Sequence, residues 1–133
     1  MELALVVAIV RGDKLGAVEK KLHIAGVRGI TVIKARGFGE HSLPHDILGH
    51  PLMHDQAKLE IYVARDQVDH VAAAIIDAAH TGTSGDGIVA ILPVHRVFSV
   101  RTRSDTIPNR ATEALAGASG RWARPTENGG PRG

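Results

Sequence analysis

Hydrophobic residues in this chain fall into short blocks of two periods. Residues 3–10 (LALVVAIV) are apolar without interruption, the pattern of a strand buried on both faces. RGDK breaks the run, and Asp13 is placed to cap a helix whose apolar positions Leu15, Val18, Leu22 and Ala25 share one face. Gly26 then sits where a helix ends in a left-handed residue. Residues 29–34 (GITVIK) are rich in β-branched side chains and predict a second strand. Residues 58–64 (KLEIYVA) alternate, with Leu59, Ile61 and Val63 on one side, and predict a third. Asp66 is placed to cap a second helix running through Val71, Ile75, Ile76 and Ala79. Residues 88–92 predict a fourth strand, Pro93 interrupts it, and residues 94–101 (VHRVFSVR) alternate again.

The order strand, helix, strand, strand, helix, strand is that of the split βαβ unit. The expected class is α+β, a ferredoxin-like βαββαβ arrangement with an antiparallel sheet and two helices on one face. Between the second and third strands lies a polar insertion, residues 37–56, with two prolines and several glycines. Its length exceeds an ordinary connection and marks it as functional or disordered. After Arg103 the composition shifts to Pro, Gly, Ala, Ser, Thr and Arg. Residues 1–105 are therefore expected to form one domain. Residues 106–133 would be a largely flexible extension, with a short helix at 112–118 and disorder over 121–133.

Composition narrows the function classes. The chain has 133 residues, of which 44% are hydrophobic and only 3% aromatic, so the core must be built from Val, Ile, Leu and Ala. Short strands with few aromatics leave sheet surface that a small subunit struggles to cover alone. Cysteine is absent, which excludes disulfides, thiolate nucleophiles and thiolate zinc sites. The apolar runs are far too short to span a bilayer, and the N-terminus lacks signal-peptide character, so a cytoplasmic protein without direct membrane insertion is expected. Net charge is +2 with scattered basic residues, a weak footprint for nucleic acid, and none is expected as a partner.

Two constellations carry chemistry. TGTSGDGIVAILPV, residues 81–94, places Gly82, Gly85 and Gly87 between the second helix and the fourth strand. Such a loop can present backbone N–H groups to an anion, or it can be a helix end and a tight turn; spacing alone favours the turn. No Lys-Ser/Thr follows, so it is not a Walker A loop. The insertion holds His41, His45, His50 and His54, with Asp46 and Asp55 nearby, a spacing that suits a shared metal ion or a solvated, titrating loop. No catalytic set emerges, and the chain is not expected to be an enzyme. An acylphosphatase-like site would need an arginine cradle after the first strand. Arg11-Gly12 is there, but the rest of that motif is missing and Asn109 lies in the tail.

Four stretches in order, GVRGITVIKARGFGEH (26–41), LEIYV (59–63), AAHTGTSGDGIVAILPV (78–94) and RVFSVRTRSD (96–105), resemble the PII signal-transduction family. That resemblance implies a homotrimer of ferredoxin-like subunits. Its clefts between subunits would bind adenine nucleotide (ADP or AMP, or ATP) as effector, and a T-loop would engage a target protein. It implies that residues 37–56 are the T-loop, with Gly37, Phe38 and Gly39 at its base. Thr81, Gly82, Gly85, Asp86, Gly87 and Ile88 would belong to the phosphate-wrapping B-loop. Gly29, Ile30, Thr31, Val63 and Ala64 would lie on the adenine side, and Arg101, Thr102 and Arg103 in the C-loop of a neighbouring subunit.

Departures from the family pattern bear on the ligand. Ile88 stands where a phosphate-binding lysine is usual, and Ser99 where an arginine is usual. Losing one charge-assisted contact costs on the order of 1.5–3 kcal/mol, so weakened triphosphate binding is expected. His41 and Gln56 replace a glutamine and a lysine associated with 2-oxoglutarate. The lone tyrosine, Tyr62, lies in a strand, which excludes tyrosyl modification of the loop. The expectation is a divergent PII-like regulator of a transporter, efflux system or metabolic enzyme, in a nitrogen, inorganic-carbon or metal context. Bicarbonate or a divalent metal are further candidate effectors. The alternative is a metal-responsive trimeric module built on the four histidines.

Overall fold

The computed structural model describes residues 2–39, 48–50 and 52–109. Strands β1 (Leu3–Arg11), β2 (Thr31–Gly37), β3 (His54–Ala64) and β4 (Gly87–Val94) form one antiparallel sheet in the order β2-β3-β1-β4. Helices α1 (Leu15–Ile24) and α2 (Val68–Ala79) pack against each other. α2 also packs on β1 and β4. The expected βαββαβ order and ferredoxin-like topology are both present.

Register explains the core. Val6 pairs with Ile61, Ala8 with Leu59 and Val10 with Ala57, so these residues share the face beneath the helices. They are buried together with Val18 and Leu22 of α1 and Val71, Ala74 and Ile75 of α2. Full burial of a Val, Leu or Ile contributes about 1.5–3 kcal/mol each, so this aliphatic layer holds the fold without aromatics. The opposite face carries Leu5, Val7 and Ile9, half-buried, beside exposed Ile33, Tyr62, Ile88 and Leu92. No element covers that face among the described residues.

Several local expectations change. Asp13 and Asp66 cap nothing. Each lies inside a 3-10 turn (Gly12–Lys14 and Arg65–Gln67), and the helices begin behind Lys14 and Gln67 with no side-chain cap. The tighter turn lets the chain leave the sheet at once, which removes the extended residue an N-cap side chain needs. Ile76 is 51% exposed, and Ala74 takes the core position instead. Gly26 does end α1, at φ 94, with Gly26 N–H bonded to His23 O and Val27 N–H to Leu22 O, the Schellman pattern.

β2 and β3 both run further than their hydrophobic patterns indicate. Gly37 pairs with His54 and Ala35 with Gln56, so both ends of the 37–56 insertion belong to the sheet. Pro93 does not interrupt β4, which is an edge strand where a missing N–H can face outward. The alternation over 94–101 is not one strand. Phe98–Ser99 (β5) pairs with Ser104–Asp105 (β6) in a small hairpin. Arg96 fastens it, bonding both Asp105 oxygens at 3.1 Å and lying 4.6 Å from the centre of the Phe98 ring. The expected helix at 112–118 and disorder at 121–133 lie outside the described residues.

Candidate functional site

The glycine loop occupies the gap between α2 and β4. Gly82, Gly85 and Gly87 have φ of 87, 96 and 112, values that glycine adopts without steric cost. Gly87 has no alternative: a Cβ there would lie 1.9 Å from the Ile9 carbonyl oxygen. Asp86 organises the loop from within. Its carboxylate accepts the N–H of Thr81 at 2.7 Å, the N–H of Gly82 at 2.8 Å and the Thr81 hydroxyl. The Thr83 N–H turns to Thr81 Oγ1 at 3.2 Å.

Arg11, at the end of β1, closes the loop from outside. Its Nη2 donates to Ser84 O at 2.6 Å and Thr83 Oγ1 at 2.9 Å, and its Nε lies 3.3 Å from Asp86 Oδ1. The hydroxyl and then the amide of Thr81 hold the Asp86 carboxyl well below the usual carboxylate range; desolvation opposes them, and the Gly82 amide and Arg11 add lesser stabilisation. Asp86 is therefore an anionic staple of the loop. The N–H groups of Ser84 and Gly85 make no hydrogen bond among the described residues. The loop thus keeps these amides for an acceptor from outside.

A cleft of about 1350 Å³ opens beside it. Its walls bring together Phe38 and Gly39 at the base of the insertion, Gly85, Gly87 and Ile88 of the loop, and the cations Arg11 and Lys34. These sites, far apart in sequence, meet because β1 lies between β3 and β4. Ile88 is 62% exposed, an apolar residue at the rim.

Gly29, Ile30 and Thr31 line a second, smaller cleft of about 400 Å³, with Arg28, Glu60, Tyr62, Pro108 and Asn109. Asn109 is 8% exposed with φ 54. Its Oδ1 accepts the N–H groups of Arg28 and Gly29, both at 2.8 Å. Its Nδ2 donates to Gly29 O at 2.7 Å and Tyr62 O at 3.2 Å.

Other candidates fall elsewhere. Val63 and Ala64 are buried and line neither cleft within one chain; alternation along β3 turns Glu60 and Tyr62 toward the small cleft and Val63 toward the helices, while Ala64 shares the parity of Tyr62. Gly37 lies in the β2–β3 ladder. Arg101, Thr102 and Arg103 form the turn between β5 and β6. There the Arg103 N–H bonds Ser99 O at 2.8 Å and the Thr102 N–H bonds Ser99 Oγ at 3.2 Å; within one chain they line neither cleft. His41 and His45 lie outside the described residues. His54 opens β3, and among the described residues no group of three His, Asp or Glu side chains is placed to hold a metal.

Sequence reasoning missed Arg11 and Asn109 in these roles. Arg11 was legible in principle, since a strand pairing β4 against β1 must bring the end of β1 to the loop before β4. Nothing in the local pattern signals Asn109, which acts across about eighty positions of chain.

Comparison with known proteins agrees with this geometry. Residues 3–104 match the family model described as nitrogen regulatory protein P-II. The chain is 39% identical over 104 residues to nitrogen regulatory protein GlnK2 of Haloferax mediterranei, covering 75% of this chain and 85% of that one. It is 35% identical over 105 residues to nitrogen regulatory protein P-II of Azospirillum brasilense, covering 71% and 88%. Among solved structures, Arabidopsis thaliana PII bound to citrate superposes with a TM-score of 0.66 at 38% identity, covering 78% of this chain and 88% of that one. Its fold, its glycine loop between α2 and β4 and this match over residues 3–104 together mean that the chain belongs to the nitrogen regulatory protein P-II family of signal-transduction proteins.

Proposed function

We propose that this protein is a nucleotide-responsive regulator that binds an adenine nucleotide beside its glycine loop and passes the occupancy to a target protein through the insertion between β2 and β3. The observation that carries this reading is that the amides of Ser84 and Gly85 have no partner among the described residues and lie on a cleft that also presents Arg11 and Lys34. Backbone N–H groups at a glycine loop bind phosphate without sequence-specific side chains, and the two cations supply the charge. Phe38 and Gly39 share the same cleft, so a ligand there touches the root of the insertion directly. Binding then biases the insertion between conformations that a target distinguishes.

The expected ligand is ADP or AMP ahead of ATP, because Ile88 and Ser99 supply no charge for a third phosphate. The assembly proposed is a homotrimer in the cytoplasm. Its support is the uncovered sheet face carrying Ile33, Tyr62, Ile88 and Leu92, which a second copy would shield from water. In a trimer Arg101 and Arg103 of one subunit would reach a neighbour's cleft. The target, a transporter or a metabolic enzyme, is assigned by the insertion's partners alone.

Calorimetric titration with AMP, ADP and ATP tests the proposal. Saturable binding of at least one at sub-millimolar concentration is expected, and no binding by any of them removes it. Light scattering is expected to give a trimer at micromolar concentration.

A further inference from the structure

The small cleft at the start of β2 is a place where the sheet comes apart. β2 and β3 pair from Gly37–His54 up to Thr31–Glu60, and there the ladder stops. Continuing the same register would set Gly29 opposite Tyr62. The two do not bond to each other. The Asn109 carboxamide stands between them and takes their polar groups: Nδ2 donates to both carbonyls, and Oδ1 accepts from Gly29 and Arg28.

A primary carboxamide offers one acceptor and one two-hydrogen donor on adjacent atoms in a plane. An adenine edge offers the same pair, a ring nitrogen acceptor beside an exocyclic amino donor, so backbone groups placed to pair with one can pair with the other. The Arg28 and Gly29 amides and the Gly29 and Tyr62 carbonyls form a complementary edge, and all four are already occupied. We propose that Asn109 is an intramolecular stand-in for a nucleobase, so that ligand entry at this cleft requires the segment carrying Asn109 to leave. The inference rests on the nucleotide-binding reading above, with the phosphates at one subunit's glycine loop and the base at the small cleft of its neighbour in the proposed trimer, and adds a competitor to it.

Geometry favours a clasp that can open. Asn109 holds a left-handed backbone, its anchoring is by side chain, and Pro108 beside it has no N–H to add to the sheet. Vacating the cleft exposes four backbone groups, which a base of matching pattern satisfies and water satisfies less specifically. Apparent affinity for the base is therefore reduced by the fraction of molecules with the clasp closed. A purely structural clasp makes the opposite prediction, since its loss would loosen the cleft and weaken binding.

Asn109→Gly removes the carboxamide and suits the left-handed φ. Titrated with AMP and ADP as full-length protein, it is expected to bind about tenfold more tightly than wild type, the change for a clasp closed in nine molecules of ten. Wild-type binding with equal or weaker binding by the variant overturns the stand-in and leaves the proposed function intact. Absence of binding by both proteins overturns both. A second measurement needs no variant: solvent exchange of the Asn109 side-chain amide protons, read by NMR, is expected to accelerate when wild type is saturated with ADP. Unchanged exchange at saturation also overturns the proposal.

Discussion

The guanidinium of Arg11 and the carboxylate of Asp86 hold the glycine loop between them, one from the end of β1 and one from within the loop, with Nε 3.3 Å from Oδ1. Arg11 has three separate acceptors there, on Thr83, Ser84 and Asp86. Arg11→Ala removes all of them and leaves the loop held by Asp86 alone. Amide exchange over residues 81–86 is expected to rise about tenfold, while the melting temperature falls by no more than a few degrees, because the core does not depend on the loop. Arg11→Lys is expected to fall between, since one ammonium cannot reproduce a planar fork. Hydrogen-exchange mass spectrometry on the three proteins checks the order; equal protection in wild type and Arg11→Ala would show that Asp86 alone orders the loop.

Asp86 makes loop order depend on pH in a defined direction. Its folded pKa is depressed, chiefly by the hydroxyl and amide of Thr81, so the unfolded loop binds the proton more readily. The contribution is therefore complete above the unfolded carboxylate value of about 3.9 and is lost as pH falls through the folded value. Loop protection in wild type is expected to persist to about pH 4 and decline below it. Asp86→Asn, which cannot accept at two charged oxygens, is expected to lack protection at Thr81 and Gly82 at neutral pH and to show no acid-dependent step. A wild-type loop that loosens near pH 6 would assign the effect to other groups.

Two glycines should respond oppositely to alanine. A Cβ at Gly87 would meet the Ile9 carbonyl oxygen at 1.9 Å, and φ is 112. Both strands are fixed in the β1–β4 ladder, so neither atom can retreat. Gly87→Ala is expected to destabilise by more than about 3 kcal/mol or to fail to fold. Gly16, in the first turn of α1, has nothing within 4 Å of a Cβ. Gly16→Ala is expected to stabilise by about 0.5 kcal/mol by restricting the unfolded chain. Urea denaturation of both variants checks the signs.

Those two glycines also show what the sequence can and cannot carry. The hydrophobic periods predicted β1, α1, α2 and the sheet class, because burial against the helices acts on every second or every third to fourth residue. They missed the outer parts of β2 and β3, since Arg36, His54, Asp55 and Gln56 pair through backbone groups and bury little apolar surface. They placed caps at Asp13 and Asp66 because an acid before an apolar run is a helix-start pattern, and a 3-10 turn uses the same letters. At the site, the glycines and Asp86 were legible as a loop, but Asp86 faces inward, and its partner Arg11 comes from a strand 75 positions away. Within one chain it is Tyr62 that lines the small cleft, and alternation puts Val63 on the opposite face, beneath the helices.

Ile88 offers the most direct handle on ligand choice. It pairs opposite Ile9 one residue into β4, is 62% exposed, and lines the large cleft next to Gly87. A lysine there would project a cation toward the same volume as Arg11 and Lys34 while surrendering little buried apolar surface. Ile88→Lys is expected to raise ATP affinity about tenfold, the equivalent of roughly 1.4 kcal/mol, and to change AMP affinity much less. The selective gain for the longer phosphate chain is the informative quantity, because a general electrostatic effect would strengthen all three nucleotides in proportion to charge and fade with salt. Titrations with AMP, ADP and ATP at low and at physiological ionic strength separate the two. An ATP affinity that does not move, with ADP binding intact, would place the terminal phosphate away from Ile88 and leave the loop amides of Ser84 and Gly85 as the main determinant of phosphate binding.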